Sequence, residues 1–196
     1  MASEGKDSMK IAVIFPGIGY HSDKPLLYYS SKLAQSMGYE VIKVTYPVCE
    51  VNLKEANREQ ILGFVGVCID RVSSALKDKN VSKDDDVLFI SKSIGTAIAA
   101  AYAVRTGLMA RHILFTPLEE TFIYANNSCG IAFNGTKDNW ADCENVVRLC
   151  KEKNIPVTTV KGANHSLETG DVLTDTENLC DVMKSVEKYI KNIGMQ

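Results

Sequence analysis

The apolar run Val87-Leu88-Phe89-Ile90 gives way, across Ser91-Lys92-Ser93-Ile94-Gly95, to a stretch of small residues from Ala97 to Ala103. A β-strand that passes so abruptly into a helix needs a tight turn, and the turn holds a serine. The same alternation of short apolar runs with longer helical patterns recurs along the chain, which is the signature of a parallel sheet covered by helices on both faces. The pattern predicts about six strands, near residues 10–16, 40–46, 86–91, 112–116, 130–134 and 156–160. Helical segments are expected at 25–37, 53–76, 94–106, 118–125, 140–153 and 176–192. The fold class is therefore α/β, in one domain over residues 9–196 preceded by a frayed tail at 1–8.

Local punctuation agrees with these spans. Pro25 suits a first helical turn, and Gly38 and Gly107 suit positions just past helix ends. In the last helix Leu179, Val182, Met183, Val186 and Ile190 recur at helical spacing, giving one apolar stripe to lay on the sheet. The helix after Gly95 carries almost no side-chain bulk, so it can press closely against the sheet. Its amino terminus, with unpaired amides and partial positive charge, then points at the serine turn.

Charge and composition exclude several classes. A net charge of −2, with basic residues scattered rather than clustered, leaves no footprint for nucleic acid or an anionic membrane. No apolar run approaches the roughly 20 residues that span a bilayer. The polar residues 1–8 lack the apolar stretch of a secretory signal, so a cytoplasmic protein is expected. The cysteines (Cys49, Cys68, Cys129, Cys143, Cys150 and Cys180) form no C-x-x-C pair and read as reduced, mostly buried thiols. Neither they nor the scattered histidines His21, His112 and His165 have zinc-site spacing, so no metal is expected.

Ser91-x-Ser93-x-Gly95 resembles the G-x-S-x-G nucleophile elbow of the α/β-hydrolase superfamily, with Ser93 as the nucleophile and Ser91 in place of the first glycine. That family's order is serine, acid, histidine, each after a strand, and this chain can follow it. Asp138, in Gly135-Thr-Lys-Asp138, is similar to the G-x-x-D turn that presents the acid. His165, in Gly162-Ala-Asn-His165, resembles the late histidine loop. The resemblance implies that Ile18 and Ile94 supply the oxyanion-hole amides, because Pro16-Gly17-Ile18-Gly19 is similar to the family's H-G-x-G loop with proline in place of histidine. Gly17, Gly19, Tyr20, His21, Lys92 and Trp140 are then candidate substrate contacts.

Gly17-x-Gly19-x-x-Ser22 lacks the third glycine of a dinucleotide loop, and Lys92 lacks the frame of a P-loop, so no nucleotide cofactor is expected. Lys92 reads as a solvated side chain at the rim. Trp140 either lines the pocket or covers the edge of the core. His21 is a rival base on the same sheet edge, whereas His112 begins its strand and reads as structural. Glu119 is a rival acid, but Thr116-Pro-Leu-Glu119 fits a capping box. Asp138 itself also fits a turn or helix-start residue, and Asp142 is a nearby decoy for the acid.

Only about a dozen residues separate Pro117 from Gly130, where the family often inserts a lid. The resemblance, which runs from Lys10 onward, thus implies a lidless enzyme without a cofactor. Such an enzyme is similar to small carboxylesterases and dienelactone-hydrolase-like proteins, acting on a small-molecule ester or thioester. A non-catalytic binding protein on the same fold, or an acyltransferase using the same residues, would fit the pattern too.

Overall fold

The computed structural model describes residues 8–49, 52–53, 55–79 and 81–192; residues 1–7 of the expected tail lie outside them. Ser8, placed in that tail from sequence, instead donates its hydroxyl to the Asp84 carbonyl at 2.8 Å. The strands are β1 (Lys10–Phe15), β2 (Glu40–Lys43), β3 (Asp86–Lys92), β4 (Arg111–Phe115), β5 (Gly130–Gly135) and β6 (Val157–Val160). The α-helices are α1 (Pro25–Ser36), α2 (Arg58–Leu76), α3 (Ile94–Thr106), α4 (Thr121–Tyr124), α5 (Cys143–Glu152) and α6 (Val172–Lys191).

The strands form one sheet in the order β2-β1-β3-β4-β5-β6. Every neighbouring pair is parallel. The central strands β1, β3 and β4 are apolar almost throughout because helices cover both of their faces. The edge strand β6 exposes Thr158 and Thr159. On one side α2, α3 and α5 enclose Phe15, Phe89, Leu114 and Val146. On the other, α1 and α6 cover Ile14, Leu88, Ile90 and Phe115, with Val182, Val186 and Ile190 of the expected α6 stripe buried.

Caps moved several helix boundaries from their predicted places. The α2 helix starts at Arg58 rather than 53, because Asn57 and Gln60 exchange side-chain-to-amide bonds at 3.0 Å. The α6 helix starts four residues early, at Val172, where Asp171 accepts from Thr174 N at 2.9 Å. Asp142 caps α5 by accepting from Glu144 N at 2.9 Å.

Between β4 and β5 only the single turn α4 forms, with no lid. The predicted capping box there is absent: Glu119 is exposed and Thr116 Oγ1 is buried without a partner. Thr116 sits at φ +43, outside the extended backbone that an N-cap residue adopts, and α4 starts later, after Glu120.

The thiols also differ from expectation. Cys68 and Cys150 are buried, Cys49, Cys129 and Cys143 are half-buried, and Cys180 is exposed on α6. Among the described residues no helix is long and apolar enough to cross a membrane.

Candidate active site

Ser93 occupies the junction of β3 and α3 at φ +56 and ψ −127, a strained backbone for any residue with a side chain. What enforces it is close packing beneath the turn. A Cβ at Gly95 would lie 2.4 Å from the carbonyl oxygens of both Phe15 and Pro16, so α3 can approach β1 only with glycine there. Ser91, the departure from the elbow's first glycine, fits because its hydroxyl donates to the Ile113 carbonyl at 3.1 Å.

The Ser93 hydroxyl meets a histidine from a distant loop. His165 Nε2 lies 2.7 Å from Ser93 Oγ, and His165 Nδ1 lies 2.8 Å from Asp138 Oδ2. The other carboxylate oxygen, Asp138 Oδ1, accepts from the amides of Trp140 at 2.8 Å and Ala141 at 3.2 Å. Burial alone pushes the Asp138 carboxyl up. The His165 contact and the two amides outweigh it and hold the group below the usual carboxylate range.

Two loops carry the acid and the histidine, and backbone bonds tie them together. Thr136 N donates to Val160 O at 3.0 Å, Lys137 N to Ala163 O at 2.9 Å, and Gly162 N to Thr136 Oγ1 at 2.7 Å. A Cβ at Gly135 would fall 2.2 Å from the Ala163 carbonyl, so this crossing also needs glycine. Trp140 does both things its sequence position allowed: it packs against the core edge and lines the cleft, stacked on the His165 ring with centroids 5.1 Å apart and planes 9° from parallel.

Ile94 opens α3, so its amide has no carbonyl one turn back within the helix. Ile18 lies inside the turn closed by the Gly17–Tyr20 bridge after β1 and lines the serine cleft with Gly19 and Tyr20. Gly17 stands behind the serine, where an added Cβ would meet Ser93 Cβ at 3.2 Å.

Two candidates fall elsewhere. His21 is exposed, and its Nδ1 accepts from Asp23 N at 3.3 Å rather than facing Ser93. His112 is buried at the opposite edge of the sheet, edge-on to Phe89 at 5.3 Å, and burial pushes its pKa down to about 4.

Lys92 requires a correction, since it is not solvated but 1 % exposed. Strand alternation explains this. Leu88, Ile90 and Lys92 share the face of β3 that α1 and α6 cover, so the lysine continues a buried row into the cleft. Lys24 and Ser166, which were not singled out from sequence, line the same cleft, whose volume is about 170 Å³. Among the described residues no group of three or more His, Cys, Asp or Glu side chains could hold a metal ion.

No protein-family model matches this sequence, and no curated protein does. Solved structures do match. Est1E of Butyrivibrio proteoclasticus, solved with ferulic acid bound, shares 12% identity over 97% of this chain and 91% of its own, with a TM-score of 0.66. A serine hydrolase without a lid from Xanthomonas campestris shares 10% over 95% and 85%, at 0.67. Esterase 2 of Thermogutta terrifontis, phosphorylated by paraoxon, shares 17% over 98% and 86%, at 0.64. With its parallel six-stranded sheet and helices on both faces, the chain has the α/β-hydrolase fold in its lidless form.

Proposed function

We propose that this chain is a cytoplasmic serine hydrolase that cleaves small carboxylic esters or thioesters through Ser93, His165 and Asp138. The observation that carries the reading is the continuous contact from Ser93 Oγ through the imidazole to Asp138, at 2.7 and 2.8 Å, on a strained turn beside a helix amino terminus.

In this mechanism His165 Nε2 takes the hydroxyl proton as Ser93 Oγ attacks the ester carbonyl. The tetrahedral oxyanion accepts from the Ile18 and Ile94 amides. Asp138 keeps the proton of the neutral imidazole on Nδ1 and stabilises the imidazolium once it forms. His165 then protonates the leaving alcohol or thiol, and the acyl group remains on Ser93. Water, deprotonated by the same imidazole, hydrolyses that intermediate.

Stacking by Trp140 covers one face of the imidazole and limits its rotation. The cleft's volume, about 170 Å³, suits a short acyl or alkoxy group. That is smaller than the roughly 300 Å³ of common ligand pockets.

A fluorophosphonate label on Ser93 tests the reading. Stoichiometric labelling of the wild type, none of Ser93→Ala, and a loss of short-chain ester turnover in that variant by a factor of about 10³ or more are expected. Unlabelled Ser93 in the folded wild type would leave a binding protein on this fold. Transfer of the acyl group to an added alcohol in preference to water would make the chain an acyltransferase.

A further inference from the structure

The cleft beside Ser93 contains a cation to which the hydrolytic mechanism gives no task. The Lys92 ammonium makes no hydrogen bond or ion pair with any described residue, although its backbone belongs to β3. Its Nζ lies over the Tyr20 ring, 5.1 Å from the centroid, and Lys24 Nζ lies 5.4 Å from the same centroid. The ring is fixed in place, because Tyr20 Oη accepts from Leu26 N at 3.2 Å. Lys92, Lys24 and Tyr20 line the same cleft as Ser93 and His165.

An ammonium withdrawn from water without a counter-charge is costly, and an aromatic face recovers only part of the loss. The groups around Lys92 do not supply the missing charge. Asp138 already accepts from His165 and two amides. Glu168 is exposed and makes no ion pair with the lysine. Lys24 repels it, and burial keeps Tyr20 protonated, with a pKa of about 12. Burial lowers the Lys92 pKa from 10.5 to about 7, despite the opposing pull of Asp138 and Glu168. A small anion entering the cleft would supply the counter-charge and return the proton.

We propose that Lys92, assisted by Lys24, forms an anion subsite beside Ser93, and that the ester taken by this site carries a carboxylate a few bonds from its scissile carbonyl. The chemistry at the carbonyl rests on the hydrolase reading; anion binding does not. Lys92 directly precedes Ser93 but points to the α1 and α6 side of the sheet, so the substrate's carboxylate end lies towards Tyr20.

Two esters of the same shape test this: monomethyl succinate and its neutral isostere methyl succinamate. In the wild type, kcat/KM for the anionic ester exceeds that for the amide by about tenfold or more, and Lys92→Met cuts the ratio by about tenfold to a hundredfold. Lys24→Met lowers the ratio by a smaller factor. Lys92→Gln repeats the measurement if the methionine variant does not fold. A wild-type ratio near one, or a ratio that Lys92→Met and Lys92→Gln leave unmoved, overturns the proposal.

Binding supplies a readout independent of hydrolysis. Calorimetric titration of Ser93→Ala with monomethyl succinate at pH 8, in two buffers of different ionisation enthalpy, is expected to show uptake of part of a proton per ester bound. No binding, or binding without uptake, overturns the subsite. Proton uptake in a chain whose wild type turns over neither ester supports the subsite and defeats the hydrolase reading.

Discussion

Ser93 is held in an unfavourable backbone conformation by its backbone hydrogen bonds to Phe115 and Thr96 and by the close packing of the glycine two positions on. Gly95→Ala places a methyl group 2.4 Å from two carbonyl oxygens. The variant should lose about 1–3 kcal/mol in urea unfolding, because the overpacking exceeds alanine's helical advantage. Asp138→Asn keeps an oxygen for the Trp140 and Ala141 amides but turns an NH₂ towards His165 Nδ1. The imidazole proton then moves to Nε2, where it cannot accept from Ser93. If the proposed mechanism holds, kcat falls by about 10⁴ with the circular dichroism spectrum unchanged.

Lys92 makes a prediction of opposite character, since the residue destabilises the fold. Its folded pKa, about 7, lies below the 10.5 of an ordinary lysine. Between these values the unfolded chain binds the extra proton, so stability rises with pH. The cost is complete below pH 7 and fades towards pH 10.5. Lys92→Met should raise the urea midpoint most at pH 6, with a gap that narrows by pH 9. An equal gap at both would show that the ammonium carries no such cost.

Among the elements, the two loops after β5 and β6 matter most, because they bring Asp138 and His165 together. Gly135→Ala forces a methyl group against the Ala163 carbonyl, 2.2 Å away, at the crossing of those loops. Fluorophosphonate labelling of Ser93 should slow more than ten-fold even where circular dichroism shows a folded chain, since the strain is released by moving the His165 loop. Labelling at the wild-type rate would mean that the loop tolerates the displacement. The element boundaries were only partly legible. Ile94–Thr106 was read to the residue because glycine and small side chains mark both its ends. The start of α2 was misread although Asn57 and Gln60 spell its cap, and the Thr116 cap was inferred from a pattern that tertiary packing does not use.

For the molecule as a whole, the sheet separates two titrating sites, with the serine cleft at one edge and His112 at the other. Burial depresses the His112 pKa to about 4, against 6.5 in an unfolded chain. From pH 6.5 down to 4 the unfolded chain takes up a proton that the folded chain refuses, so stability falls with acidity, by on the order of 3 kcal/mol at full extent. His112→Leu should remove that slope, read as the difference in unfolding free energy between pH 7 and pH 4.5. A slope unchanged from wild type would place the acid sensitivity elsewhere.

The sequence by itself determined the parallel α/β fold and the order in which serine, acid and histidine follow their strands. Periodicity, turn chemistry and strand-end position are local properties of a chain. Tertiary structure alone decided that Ser93 and His165, 72 positions apart, lie within hydrogen-bond distance, that Trp140 stacks on the imidazole, and that Lys92 is enclosed rather than solvated. Each of these depends on which helices cover a given face of β3 and how closely separate loops cross, and such contacts are fixed only when the whole sheet packs.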